Sequence, residues 1–336
     1  MVSSTFNVPV LQTNYAKILV EVCTEYGIDL HQLLEDSGLP ADLFQSDSDF
    51  IPSESIKRLL FLSSNQLGTT QFTEVIALAI QRRILPYILH QFKPYTTIGE
   101  ALPHINSIFT LDTPSSNVFF KQEHGLSWFC VESAGKERQY FQWTEVFAIL
   151  YIIELISLLT QTRWQPDNIK IQGTETDIIQ SILPTGCKLF VDQEYKAIRI
   201  PSHILEQPIH LSSDTLSAKP AMVEWHTSFT DNVFEVLKPY VKETDLTVEY
   251  AAELLDYSVR TLQRKLSAEN TSFRKIKENL MLSVACELLE EGHSLTYVSS
   301  QLGYANLSHF SRAFKRVSGL TPKMYRDSVT RDSTTR

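Results

Sequence analysis

The chain has 336 residues, 43% of them hydrophobic and 21% charged, with a formal net charge of −9 at pH 7. That length is the prior for two domains or three small ones, and the composition is that of an ordinary soluble chain with ample material for a core. The acidic balance argues against bulk nucleic-acid binding, and four scattered cysteines (Cys23, Cys130, Cys187 and Cys286) argue for reduced thiols over a disulfide framework. The first twenty residues lack a basic start and a contiguous apolar core, so no secretory signal is expected and the localisation reads as cytoplasmic.

Apolar periodicity predicts helices over residues 15–26, 29–37, 53–66, 72–85 and 97–106. Residues 117–133 alternate around His124-Gly125 and read as a two-stranded hairpin. The most apolar run, VFAILYIIELISLL at 146–159, is short of the ~20 residues a bilayer requires and contains Glu154. It reads as part of a helix over 141–160, with no membrane partner. That helix is apolar on nearly all sides, which admits two readings: a core helix, or one packed in part on its copy in a second subunit. Short strands are expected at 169–172, 188–191 and 197–200. The result is an α+β N-terminal domain, mostly helical with a few short strands. Its aromatics Phe119, Phe120, Trp128, Phe129, Tyr140, Phe141 and Trp143 line either a core or a small-molecule pocket.

No catalytic or metal constellation is visible. His31, His90, His104 and His124 lack metal-ligand spacing, no G-x-S-x-G surrounds a serine, and GTETD (173–177) and LPTGCK (183–188) read as ordinary turns. Neither a cofactor, a metal nor an enzymatic activity is expected. The polar, Ser-rich EQPIHLSSDTLSAKPA, with two prolines, marks a boundary. It divides the chain into a domain at 1–210, a linker at 211–222 and an all-α domain at 223–327. The remainder, 328–336, lacks periodicity and is expected to be disordered.

Two stretches of the C-terminal domain share one design. In TVEYAAELLDYSVRTLQRKLSAEN (247–270), Thr247 caps a short helix and Glu249 suits its first turn, while Ala252 and Leu255 face a second helix capped by Ser258. Val259, Leu262 and Leu266 form the buried stripe of that second helix, leaving Arg260, Gln263, Arg264 and Ser267 outside. In SLTYVSSQLGYANLSHFSRAFKRVSGLTP (294–322), Val298 and Leu302 pack inward, Gly303 ends the first helix and Asn306 caps the next. Leu307, Phe310, Phe314 and Val317 are the expected stripe, with Ser308, His309, Arg312, Lys315 and Arg316 outside. Between the two, Ser272 caps a helix reaching about residue 291, with Phe273, Ile276, Leu280, Val284 and Leu288 as its buried row. Its length, roughly 30 Å, is close to the roughly 34 Å of one turn of B-DNA. Thr321 and Pro322 open a last helix.

Each stretch is a helix-turn-helix. Residues 242–336 carry a balance of +2 against −11 for the rest, and no Asp or Glu lies between Gly292 and Arg326. A basic surface is thus confined to this domain. Arg260, Gln263, Arg264, Ser308, His309 and Arg312 are the candidates for base contact, since arginine reads guanine and glutamine reads adenine. Ser258, Lys265, Arg274, Asn306, Lys315 and Arg316 are the candidates for phosphate contact.

Residues 223–327 resemble the DNA-binding domain of AraC/XylS-type transcriptional regulators, through LTVEYAAELLDYSVRTLQRKL, SFRKI and LGYANLSHFSRAFKRVSGLTPKMYR. Residues 20–210 resemble more weakly the ligand-binding and dimerisation region of one AraC subgroup, through LLEDSGLPADLF, IPSESIKRLL, YTTIGEAL and LEQPI. The resemblance implies a bacterial-type activator of transcription that binds double-stranded promoter DNA and RNA polymerase. It further implies a homodimer controlled by a small-molecule effector of unknown identity. The alternative is an N-terminal domain serving as a protein-interaction module without an effector. Four positions depart from the family pattern: Asp256 and Asn270 replace glycine, Ser299 replaces alanine and Met281 replaces arginine.

Overall fold

The computed structural model describes residues 8–46, 48–110, 117–132, 140–212, 228–242 and 246–333. They belong to two compact units, Met1–Leu39 with Ser53–Glu224, and Pro40–Pro52 with Trp225–Arg336.

The N-terminal unit opens with β1 (Val10–Gln12), α1 (Thr13–Glu25) and α2 (Leu30–Ser37). Asp29 caps α2 by accepting from the Gln32 amide at 2.8 Å, and Gly38 ends it in the left-handed region at φ 68°. The chain then crosses to β2 (Phe50–Pro52) in the other unit and returns as α3 (Ser53–Leu67) and α4 (Thr69–Ala79). The single helix expected over 72–85 is not formed. A π turn, Ile80–Ile84, follows α4 and leads into α5 (Pro86–Leu89), with Leu85 N–H donating to the Ile80 carbonyl at 2.8 Å. Pro86 supplies no amide and its ring would clash with a carbonyl four residues back, so the wider turn lets the chain continue. The helix expected over 97–106 divides likewise into α6 (Ile98–Ala101), a 3₁₀ turn containing Pro103, and α7 (Ile105–Thr110).

The hairpin forms as β3 (Asn117–Glu123) and β4 (Leu126–Glu132), in register from Asn117↔Glu132 to Glu123↔Leu126. His124 and Gly125 both have positive φ, 51° and 76°, as a type I′ turn requires. After α8 (Phe141–Thr160) come β5 (Asn168–Lys170), α9 (Asp177–Ile182), β6 (Lys188–Phe190), β7 (Lys196–Arg199) and α10 (Ser202–Leu205). The sheet order is β3-β4-β7-β5-β6, antiparallel except for β5 against β6. Phe129, Ile198 and Ile169 lie across its inner face, all fully buried.

The twenty residues of α8 are long and apolar enough to cross a membrane by composition, yet 56% of its most apolar 18-residue stretch is buried within the protein. Trp143 meets Phe72 of α4 edge-on at 5.0 Å. No residue of α8 is fully exposed, so it is a core helix with a half-buried edge at Phe147, Tyr151, Ile153, Glu154 and Leu158. The apolar side chains of that edge, Phe147, Tyr151, Ile153 and Leu158, are partly exposed. At the start of α8, Glu145 is buried; its carboxylate accepts from the Gln172 and Gly173 amides at 2.7 and 3.1 Å. A Cβ on Gly173 would lie 2.8 Å from that carboxylate, so only glycine admits this approach. The buried Lys196 of β7 supplies the opposite charge; burial pushes its pKa down to about 8, with Glu145 opposing the shift.

The C-terminal unit is helical: α11 (Phe229–Leu237), α12 (Val248–Leu254), α13 (Val259–Ala268), α14 (Phe273–Glu290), α15 (Leu295–Gln301), α16 (Leu307–Ser318) and α17 (Pro322–Ser333). Residues 40–52 group with this unit by their contacts. The reason is local: β2 packs against α11, and Ser48 Oγ donates to the carbonyls of Phe50 at 3.0 Å and Glu235 at 3.2 Å. The expected disordered tail from 328 differs, because α17 continues to Ser333. With no glycine or proline to stop it, each added residue gains one backbone hydrogen bond once the helix is nucleated.

Candidate nucleic-acid interface

Side-chain caps fix where each helix of the paired units begins. Thr247, Ser258, Ser272, Ser294, Asn306 and Thr321 each accept a hydrogen bond from the amide three residues on, at 2.9–3.4 Å. The turns between helices require a left-handed residue. Gly303 takes that place in the second unit at φ 70°, and Asp256 takes it in the first at φ 62°. Asn270, after α13, has φ 58°. Positive φ explains why the AraC/XylS pattern carries glycine at 256 and 270, and why Asp and Asn, which visit this region most readily after glycine, stand in for it. No atom lies within 4 Å of a Cβ built on Gly303. Gly303→Ala is therefore expected to destabilise the unit by about 1–2 kcal/mol through backbone strain alone, read by urea unfolding.

The middle helix α14 packs against α11, α15, α16 and α17 through Ile276, Leu280, Val284, Leu288 and Leu289, all buried. Beneath α16 an aromatic row runs from Tyr304 through Phe310 and Phe314 to Tyr325, with ring centroids 5.5–5.8 Å apart. Leu307 and Val317 extend that row in the sequence pattern but not in the structure: Leu307 is 39% exposed and Val317 half-buried. Leu307 opens the first turn, one turn beyond the aromatic row.

On the outer faces of α13 and α16, Arg260, Gln263 and Arg264, and Ser308, His309 and Arg312, are all exposed. Among the described residues none of these six side chains makes a hydrogen bond or ion pair. The other candidates differ. Ser258 and Asn306 are engaged as caps. Lys265 Nζ sits 5.2 Å from the Phe229 ring centroid and 5.4 Å from that of Tyr257, so its stem lies on an aromatic seat. Arg274 and Arg316 both reach Glu278 Oε1, at 3.1 and 3.0 Å, tying the middle helix to α16. Lys315 is exposed and unengaged among the described residues.

The sequence reading missed Glu278 and Glu269, both partners distant along the chain. Glu269, just past α13, accepts from Ser228 Oγ and the amides of Phe229 and Thr230 at 2.8–3.0 Å, closing the start of α11. Burial works against its charge, but the hydrogen bonds from Thr230, Phe229 and Ser228 win and hold its pKa below the ordinary carboxylate value. Glu269→Ala should cost about 1 kcal/mol, the worth of a helix cap. Because the folded-state value is the lower one, wild-type stability from this group is complete above the ordinary carboxylate value. It is lost as pH falls through the folded value, a dependence Glu269→Gln should remove.

Two capped helix-turn-helix units braced by one helix define a double helix-turn-helix protein. Residues 251–328 match the family model for a helix-turn-helix domain. Residues 27–209, more than half of the chain, match the model for the arabinose-binding domain of AraC transcription regulators. The chain belongs to the AraC family of DNA-binding transcriptional regulators. It is 44% identical over 72 residues to an uncharacterised HTH-type transcriptional regulator of Mycobacterium tuberculosis, 21% of each chain. To the HTH-type transcriptional activator CfaD of Escherichia coli it is 32% identical over 102 residues, covering 29% of this chain and 37% of the relative. The match thus spans about a fifth to two fifths of these relatives' lengths. The transcriptional regulator CdpR of Pseudomonas aeruginosa aligns over 94% of this chain and 99% of its own, at 16% identity and a TM-score of 0.36.

Proposed function

We propose that the chain binds promoter DNA sequence-specifically through α13 and α16 and activates transcription by contacting RNA polymerase. In this reading it acts in the cytoplasm as a homodimer, under control of a small molecule held by the N-terminal unit. One observation carries the DNA-reading part. The six side chains placed for base contact are exposed and uncommitted, whereas most of those placed for phosphates are held by protein groups. Base readout demands donors and acceptors free to meet base edges. Phosphate contact tolerates a cation that exchanges one anionic partner for another, and helix N-termini such as those capped by Ser258 and Asn306 suit phosphates through their amides. Activation is supported by the likeness to CfaD, which is named as an activator. Effector control is supported by the match to an arabinose-binding domain and by a groove of about 790 Å³ in the N-terminal unit.

Fluorescence anisotropy of the full chain on a selected duplex tests the first part. Affinity should fall steeply with salt, by about 0.9 in log–log slope for each neutralised phosphate. A flat salt dependence counts against this interface. Sedimentation of the same sample reads the subunit number, and a monomer at micromolar concentration removes the homodimer.

A further inference from the structure

The groove of about 790 Å³ falls within the size range of small-molecule sites. One wall is a single stripe of α8, in which Leu150, Ile153, Glu154, Ser157 and Leu158 recur at helical spacing, continued by Gln161 just past its end. Leu78 and Leu89 add apolar surface, and Arg163 stands beyond the end of α8. His210 and Ser212 also line it, and Ser212 is the last described residue before the stretch joining the two units.

Glu154 is the only carboxylate among the described lining residues. It is half-buried amid Leu150, Ile153 and Leu158, and among the described residues it makes no hydrogen bond or ion pair. Burial raises its pKa, the charge of Arg163 opposing. A partly desolvated carboxylate without a donor is unfavourable. A ligand that brings a charged N–H donor would satisfy it.

We propose that this groove binds a small organic cation, an ammonium head on an apolar body. The head meets Glu154, and the body lies on Leu150, Ile153 and Leu158. The assignment deepens the effector reading, and rests on it for any consequence at DNA. Free amines and amino acids share the ammonium. Amino acids add a carboxylate for Arg163 to meet.

Isothermal titration of the full chain at neutral pH with hexylamine, L-leucine and hexanoate tests the groove. At least one ammonium compound should bind and hexanoate should not. Glu154→Gln should weaken the binding by about ten- to a hundredfold, the worth of one charge-assisted hydrogen bond. Arg163→Gln should weaken leucine alone, if amino acids are the natural class. Ile153→Trp, which fills the groove without touching a charge, should abolish binding while the chain still melts cooperatively. Equal binding of hexanoate, indifference to Glu154→Gln, or no binding of either ammonium compound at millimolar concentration overturns the proposal. DNA affinity, measured in parallel, separates the two readings. If an ammonium compound binds through Glu154 and leaves DNA affinity unchanged, the groove stands and effector control falls. If another small molecule shifts DNA affinity equally in wild type and Glu154→Gln, effector control stands and this groove falls.

Discussion

Arg260→Ala is expected to cost about 1–3 kcal/mol on the preferred DNA site and to relax choice at one or two base pairs. Arg260 lies in the first turn of α13, exposed and without a partner among the described residues, so its guanidinium is free to meet a base edge in two places at once. Lys315→Ala should act otherwise. Exposed in the last turn of α16, it is placed to meet phosphate; its loss should weaken all sequences alike and lower the salt slope by about one. Both residues sit on outer faces, so neither change should move stability by more than about 0.5 kcal/mol. Competition against randomised duplexes at two salt concentrations reads both effects together. If Arg260→Ala weakens specific and random DNA equally, this arginine is a phosphate contact and the reading face of α13 lies elsewhere.

Glu145→Ala is expected to destabilise the chain by about 3–5 kcal/mol, because it removes the carboxylate whose charge opposes the cost of burying Lys196. It also leaves the Gln172 and Gly173 amides without their acceptor. Glu145→Gln keeps an acceptor of the same shape and should cost less. Lys196→Met should cost less still, since the carboxylate retains both amide donors and takes up a proton more readily once its cation is gone. Thermal unfolding of the full chain orders the three variants. A cost for Lys196→Met above that for Glu145→Ala would show that the ammonium, rather than the amide pair, is the principal interaction of the site.

The helix starts of the C-terminal unit were legible because a capping residue followed by apolar residues three and four apart is a local signal; Thr247, Ser258, Ser272 and Asn306 all stand where that signal puts them. The outward positions of Arg260, Gln263, Arg264, His309 and Arg312 followed from the same period. Pairings across distance were not legible. Glu278 with Arg316, Glu269 with Thr230, and Glu145 with Gly173 join residues 38, 39 and 28 positions apart, and no periodicity marks them. Lys196 read as a residue just before a strand, whereas the register of β7 puts it inside the core. Phe72–Leu85 carried an unbroken apolar pattern, so only the proline after it hinted at the π turn.

The route of residues 40–52 bears on how the chain matures on the ribosome. The piece that completes the C-terminal unit is made long before α11 exists to receive it. At ~5–20 residues per second, Phe50 and Ile51 emerge roughly 10–35 s ahead of their partner helix. Through that interval two apolar side chains that end fully buried lack the helix face they later pack against.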